Sequence, residues 1–279
     1  MLEQELQKQL IDRGREASRG FREDDPYEED FESDQDLKRP QPPLCKPPMA
    51  EEKARVALPR DFSGLERTEG LESLLRRRRS ARVYTQAPLR LGELSFLLWA
   101  TQGVRGLRGK GYATLRTVPS GGARHPFETY LAVRNVEGLE PGLYHYLPLE
   151  HALEFLGPVE GLEEAVSQSL CGQEWAAKGA VVFYWSMVAY RAEWRYGIYA
   201  HRIALLDAGH VGENLYLACA ALGLGTCAIA AFSHEDCARL LGLDGEEEYV
   251  VYAAPVGGVR PQDAAEEQAF YRFLEEEEG

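Results

Sequence analysis

Five guanidinium groups and one hydroxyl stand within seven residues, Arg76-Arg77-Arg78-Arg79-Ser80-Ala81-Arg82. Guanidinium forks and a serine suit a phosphate monoester, each charge-assisted bond contributing about 1.5–3 kcal/mol. The run also suits a helix C-terminus, where cations complement the macrodipole, because Leu71, Leu74 and Leu75 precede it at helical spacing. A second cluster is Arg116-Thr117-Val118-Pro119-Ser120-Gly121-Gly122-Ala123-Arg124-His125-Pro126. Paired glycines let backbone N–H groups approach a flat or anionic ligand; a tight loop before a strand has the same composition. A third, Gly223-Leu224-Gly225-Thr226 running into Cys227–Phe232, is either a helix C-cap or a ligand loop. In Trp194-Arg195-Tyr196-Gly197 the Arg–Tyr pair could orient a substrate and the phenol exchange a proton, or the aromatics could simply pack. Arg260 follows the last core strand and could complete a phosphate site.

Other chemistries lack their residues. No GxGxxG opens a βαβ unit, and no phosphate loop, HExxH helix or GxSxG elbow occurs. The six histidines are scattered, which gives a metal site little support. The five cysteines form no CxxC, which argues against a disulfide framework or a zinc site and fits a reducing cytoplasm.

These clusters need elements to hold them. Leu91, Leu94, Leu97, Leu98 and Thr101 share one helical face, with Gly103 as a stop. Helices are predicted at about 68–78, 91–102, 160–170, 200–222 and 234–241. Small residues (Ala204, Ala208, Gly209, Gly212, Ala218, Ala220) mark the fourth as a buried helix that could pack on a partner subunit. Strands are predicted at 128–134, 143–147, 152–156, 180–189, 226–230 and 249–254, the first three as an antiparallel meander. This mixed order predicts an α+β layered fold.

The chain has 279 residues and a net charge of −14. That disfavours nucleic acid as a partner. No run of about 18 apolar residues exists, so no membrane span is expected, and the N-terminus lacks a secretory h-region. Much of the acidity lies at the ends. Residues 23–36 hold nine acids and no base, and residues 40–48 hold five prolines. Such composition offers too little apolar area to offset ordering entropy. Residues 1–60 are therefore predicted to be a largely extended or disordered leader, solvated rather than docked. Residues 61–262 form the folded domain, and residues 263–279 an acidic tail.

In order and spacing the central clusters resemble the nitroreductase-like flavoproteins, and more closely their SagB-type dehydrogenase branch. The resemblance runs from about residue 65 to 260. It is carried by RRRSARVY (77–84), LGELSFLLWATQG (91–103), RTVPSGGARHPFETYLAV (116–133), GLYHY (142–146), LLDAGHVGENLYLACAALGLGTCAIAAF (205–232) and PVG (255–257). It implies an FMN enzyme with a three-layer fold, a mixed, mainly antiparallel sheet flanked by helices, in a domain-entwined homodimer with FMN at the interface. By motif, Arg78, Arg79, Ser80 and Arg82 would hold the FMN phosphate and ribityl chain, with Arg260 as a late basic contact. Pro119, Ser120, Gly121, Gly122 and His125 would approach the flavin from the other subunit. Cys227 to Ala231, including Ala228, Ile229 and Ala230, would lie beside its ring.

The branch is associated with oxidising thiazolines or oxazolines in peptides to azoles. Hydride passes between substrate and flavin N5, and O2 reoxidises the flavin. Its Lys-Tyr-Gly motif aligns with Arg195-Tyr196-Gly197. A guanidinium keeps its proton, so Arg195 is a poor general base; Tyr196 is the better proton-transfer candidate. The loop reads SGGARHP where SAGALYP is the expected pattern. An NAD(P)H-driven reductase of nitro, quinone or enone acceptors needs no lysine and is the alternative. A flavin-binding scaffold in a peptide-maturation complex is a third.

Overall fold

A computed structural model of the chain describes residues 2–19, 32–49, 55–67 and 70–260. The acidic tail and most of the run at 23–36 lie outside the described residues. In chain order the elements are α1 (Leu2–Ser18), β1 (Arg55–Ala57), α2 (Leu71–Arg77), α3 (Leu91–Gln102), β2 (Val104–Arg108), β3 (Ala113–Arg116) and β4 (Phe127–Val133). Then come β5 (Gly142–Leu147), β6 (Ala152–Gly157), α4 (Leu162–Ser169), α5 (Glu174–Ala177), β7 (Val181–Val188) and α6 (Ala189–Tyr196). The last are α7 (Ala200–Leu222), β8 (Leu224–Thr226), α8 (His234–Leu241) and β9 (Glu248–Gly258).

A seven-stranded sheet in the order β1-β6-β5-β4-β7-β9-β8 is the middle layer. Its ladders are antiparallel, and parallel pairing is confined to single bridges such as Ser80–Thr226. Side chains alternate across a strand. On β7, Val181, Phe183, Trp185 and Met187 join the core under α3 and α7. Val182 and Tyr184 join the second core, under α4, α5 and α8. The result is an α+β sheet with flanking helices, and the predicted meander is β4-β5-β6.

Three expectations need correction. The strand predicted over 226–230 ends at Thr226; beyond it only Ile229 bridges, to Ala253. The strand predicted through 189 stops at Val188, where α6 begins. The leader is not simply solvated. Residues 32–49 lie on the core as a strap, and Arg55–Ala57 adds an edge strand to β6. Among the described residues no helix is long and apolar enough to cross a membrane.

Candidate active site

The arginine run straddles a helix end. Arg76 and Arg77 occupy the last turn of α2, and Arg78, its C-cap, turns extended. The chain then drops onto β8, with the Ala81 N–H donating to the Thr226 carbonyl at 2.9 Å. Both sequence readings therefore apply. Arg76 pairs with the exposed Glu72, and Arg76 to Arg79, Ser80 and Arg82 line a cavity of about 1020 Å³ with Tyr216, Gly223–Thr226 and Arg260. Among the described residues no acid lines it. Gly223 (φ +69°) also caps α7 in the left-handed region that glycine tolerates.

Tyr216, which the sequence reading missed, organises the floor. Its hydroxyl lies 2.9 Å from Ser80 Oγ and accepts the Ala228 N–H at 2.9 Å. Its ring lies under the Arg78 guanidinium, and Trp175 lies under Arg82. The Thr226 hydroxyl is buried with no hydrogen-bond partner among the described residues. Buried hydroxyls are normally bonded; this one is sealed behind the arginine-lined cavity and not presented to it. Of the following segment, Ile229 exchanges both backbone bonds with Ala253, and Ala230 and Ala231 are exposed. Ala228 reaches the cavity through Tyr216, but 228–231 do not line it.

The glycine loop belongs to a second corner. Asp207 of α7 takes the Ser120 hydroxyl at 2.7 Å and the Gly121 N–H at 3.1 Å. Ser120 Oγ in turn accepts the His125 N–H. A Cβ on Gly121 would come within 2.5 Å of Ile203, and one on Gly122 (φ +53°) within 2.6 Å of both Arg195 Nε and the Tyr196 hydroxyl. Packing against α6 and α7 thus explains the glycines of this loop, and it brings Arg195 and Tyr196 to them. Pro119 is exposed at the loop's start. Arg195 NH1 donates to Gln35 Oε1 at 2.8 Å and to the Tyr112 hydroxyl at 2.9 Å. Burial opposes its charge, but the bonds to the Tyr196 and Tyr112 hydroxyls outweigh this and hold its pKa above the ordinary value. Arg124 lies over the rings of Tyr112 and Trp194.

His125 is buried, and desolvation, with Arg116 and Arg124 nearby, depresses its pKa to about 3. The imidazole is therefore neutral at pH 5–8 and is not a proton donor of the imidazolium kind. Its ring C–H resonances are expected not to titrate over that range; a midpoint near the ordinary 6.5 would contradict the burial.

Among the described residues no hydrogen bond links the arginine cavity to the Gly122–Arg195–Tyr196 corner. Gln35, Tyr112, Asp207 and Tyr216 escaped the sequence reading, whereas Thr226 stood in its third cluster. Only Asp207, an acid among the small and apolar residues Ile203–Gly209, gave a signal.

The family model described as the nitroreductase family matches residues 75–258. The provisional nitroreductase MJ1384 of Methanocaldococcus jannaschii is 37% identical over 191 residues, covering 67% of this chain and 90% of that protein. The microcin B17-processing protein McbC of Escherichia coli is 31% identical over 136 residues, 46% of this chain and 49% of that protein. A provisional nitroreductase structure from Ralstonia eutropha JMP134 superposes with a TM-score of 0.61 at 26% identity, over 80% of this chain and 98% of that one. A structure from Exiguobacterium sibiricum, solved in complex with FMN, shares the fold at 13% identity (TM-score 0.50), over 70% of this chain and 90% of that one.

Proposed function

The chain belongs to the nitroreductase family of FMN-dependent oxidoreductases, and we propose that it passes hydride from NAD(P)H to an electron-poor acceptor, a nitroaromatic, quinone or enone. The observation that carries the cofactor placement is the cavity of Arg78, Arg79, Ser80, Arg82 and Arg260, which no acid among the described residues lines. These residues fit the phosphate end of FMN: guanidiniums for a dianion and the Ser80 hydroxyl for a remaining oxygen. The likeness to MJ1384 supports the reductase reading over its rivals.

Bound FMN supplies two-electron chemistry, and the protein supplies orientation and electrostatics. In this reading two copies pair along α7, whose Leu205 and Leu206 are 60% and 58% exposed. The Gly121–Gly122 corner of one copy then faces the arginine cavity of the other. Arg195, held cationic, orients the acceptor. The Tyr196 hydroxyl, beside it, delivers a proton to the reduced acceptor. Well-placed general acids contribute about 10²–10⁴-fold, so Tyr196→Phe is expected to lower kcat about 10²-fold with little change in flavin content. Unchanged steady-state turnover would leave Tyr196 a packing residue.

A second reading is oxidation of peptide thiazolines or oxazolines to azoles, in the manner of a SagB-type dehydrogenase. It is favoured by the likeness to McbC. It is weakened by Arg195, whose strengthened charge cannot serve as the base. Purified protein should be yellow, release FMN on denaturation, and oxidise NADPH with menadione or a nitroarene as acceptor. Colourless protein that takes up no FMN would end both readings. Yellow protein that oxidises an azoline peptide under O2, without NADPH turnover, would reverse their order.

A further inference from the structure

The corner around Arg195 holds two arginines whose direct hydrogen-bond partners are neutral. Arg195 lies close enough to Arg124 to oppose its charge. Among the described residues neither forms an ion pair. Arg195 NH1 is spent on two neutral oxygens, those of Gln35 and Tyr112. Its Nε is buried with no hydrogen-bond partner, and what lies over it is Gly122, exposed and without a side chain. Arg124 spends Nε on the Gly122 carbonyl and NH2 on the Tyr112 carbonyl, again neutral groups. The acid that feels Arg195 through space is Asp36, and its carboxylate is engaged by the Ser33 N–H and hydroxyl at 3.1 and 2.6 Å. Asp36 offsets part of this charge from a distance, but no carboxylate among the described residues touches either guanidinium, and a bound monoanion would make that direct contact.

The aim of Arg195 is set from the leader. Gln35 is fixed by its N–H on the Trp194 carbonyl (2.8 Å) and by its amide on the Tyr112 hydroxyl (3.3 Å). Asp34 accepts the Tyr190 hydroxyl, and the Arg39 carbonyl accepts Trp194 Nε1. The strap's far end is anchored by Lys46 and Met49 on the buried carboxylates of Glu128, Glu248 and Glu154. A strap tied at both ends delivers Gln35 to one place.

We propose that Gln35 and Tyr112 act as positioning residues that hold Arg195 as an anion receptor, so that the acceptor this enzyme prefers bears a carboxylate beside its reducible group. This rests on the reductase reading for the word acceptor; the receptor itself stands on the corner's geometry. Fixing NH1 sets the plane of the half-buried guanidinium, so a carboxylate would meet its exposed edge and not the Nε covered by Gly122, and a neutral isostere gains no charge-assisted bond there.

The test is calorimetric titration of the full-length, flavin-loaded protein with benzoate and with benzamide. Benzoate should bind about tenfold or more tightly. Arg195→Gln should bring that ratio to about one, Arg195→Lys should restore part of it, and Gln35→Ala should lower it several-fold with the flavin absorption spectrum unchanged. Equal binding of the two ligands, binding of neither, or a benzoate preference that survives Arg195→Gln overturns the proposal. Should Arg195→Gln fail to fold, Gln35→Ala decides alone: an unaltered ratio overturns it. Turnover of 4-nitrobenzoate against 4-nitrobenzamide separates the two readings. A benzoate preference without NADPH-dependent reduction of either leaves the receptor standing and removes the reductase.

Discussion

Combining Ser80→Ala with Arg82→Ala is expected to give a colourless protein that recovers FMN with at least about 10²-fold weaker affinity. Each change deletes a donor from the cavity shared with Arg78, Arg79 and Arg260. Hydrogen bonds to charged groups contribute about 1.5–3 kcal/mol each, so two losses correspond to roughly 10²–10⁴ in affinity. Ser80 and Arg82 are near neighbours, so their effects need not add, and the lower figure is the one to expect. Ser80 also meets the Tyr216 hydroxyl, which in turn holds the Ala228 N–H. Its loss loosens the floor as well as removing a donor. Arg82 lies over Trp175 without an ion pair among the described residues, so its removal should cost the apo fold little. Flavin titration by fluorescence quenching, with Tm as the control for folding, gives the answer. A double variant of normal Tm that binds FMN as tightly as the parent would move the phosphate elsewhere.

That the arginine run lines a cavity with Gly223–Thr226 was open to a sequence reading because arginine and glycine state their chemistry locally. Helical and alternating periodicity likewise made α3, α7 and the β4-β5-β6 meander legible. What periodicity could not reach was α6. Its sequence AYRAEWRY buries Ala189, Ala192 and Trp194 but also Arg191, so charge does not mark its solvent side. The strap failed for a different reason. Nine acids and five prolines offer almost no apolar area, and area is the currency of a disorder argument. The strap is instead held by hydrogen bonds and an ion pair to carboxylates buried in the sheet, Glu128, Glu154 and Glu248, which stand in strands that read as apolar. Nothing local in residues 32–49 announces acceptors more than 80 residues away. The glycine loop was located correctly, but part of its reason lies in tertiary packing, since Ile203, Arg195 and Tyr196 take the volume a Cβ would need.

Arg191→Met is expected to destabilise the protein by about 3–5 kcal/mol at pH 7, because it leaves the Glu128 carboxylate buried without its closest cation. Glu128 is 1% exposed; Arg191 NH2 lies 2.5 Å from Oε1, His145 Nε2 lies 3.0 Å from Oε2, and the Lys46 N–H donates to Oε1 at 2.6 Å. Burial alone would raise the Glu128 pKa, but Arg191, with His145 and Arg116, outweighs it and brings the value down to about 2 from the ordinary 4.5. A carboxyl depressed on folding stabilises fully above its unfolded pKa, and the contribution drains away as pH falls through the folded one. The window is therefore about pH 4.5 down to about 2, and the parent's lead over Arg191→Met should narrow across it. Urea denaturation at pH 7 and pH 3 reads both quantities. Replacing both partners, Glu128→Gln with Arg191→Met, should recover part of the loss, since a buried pair removed whole costs less than one broken. Recovery should be incomplete, because Glu128 also accepts the Lys46 N–H, and that bond anchors the strap that carries Gln35 to Arg195. A single variant that loses less than about 1 kcal/mol at pH 7, or a gap that stays constant into acid, would mean that the Glu128–Arg191 pair contributes little to the fold.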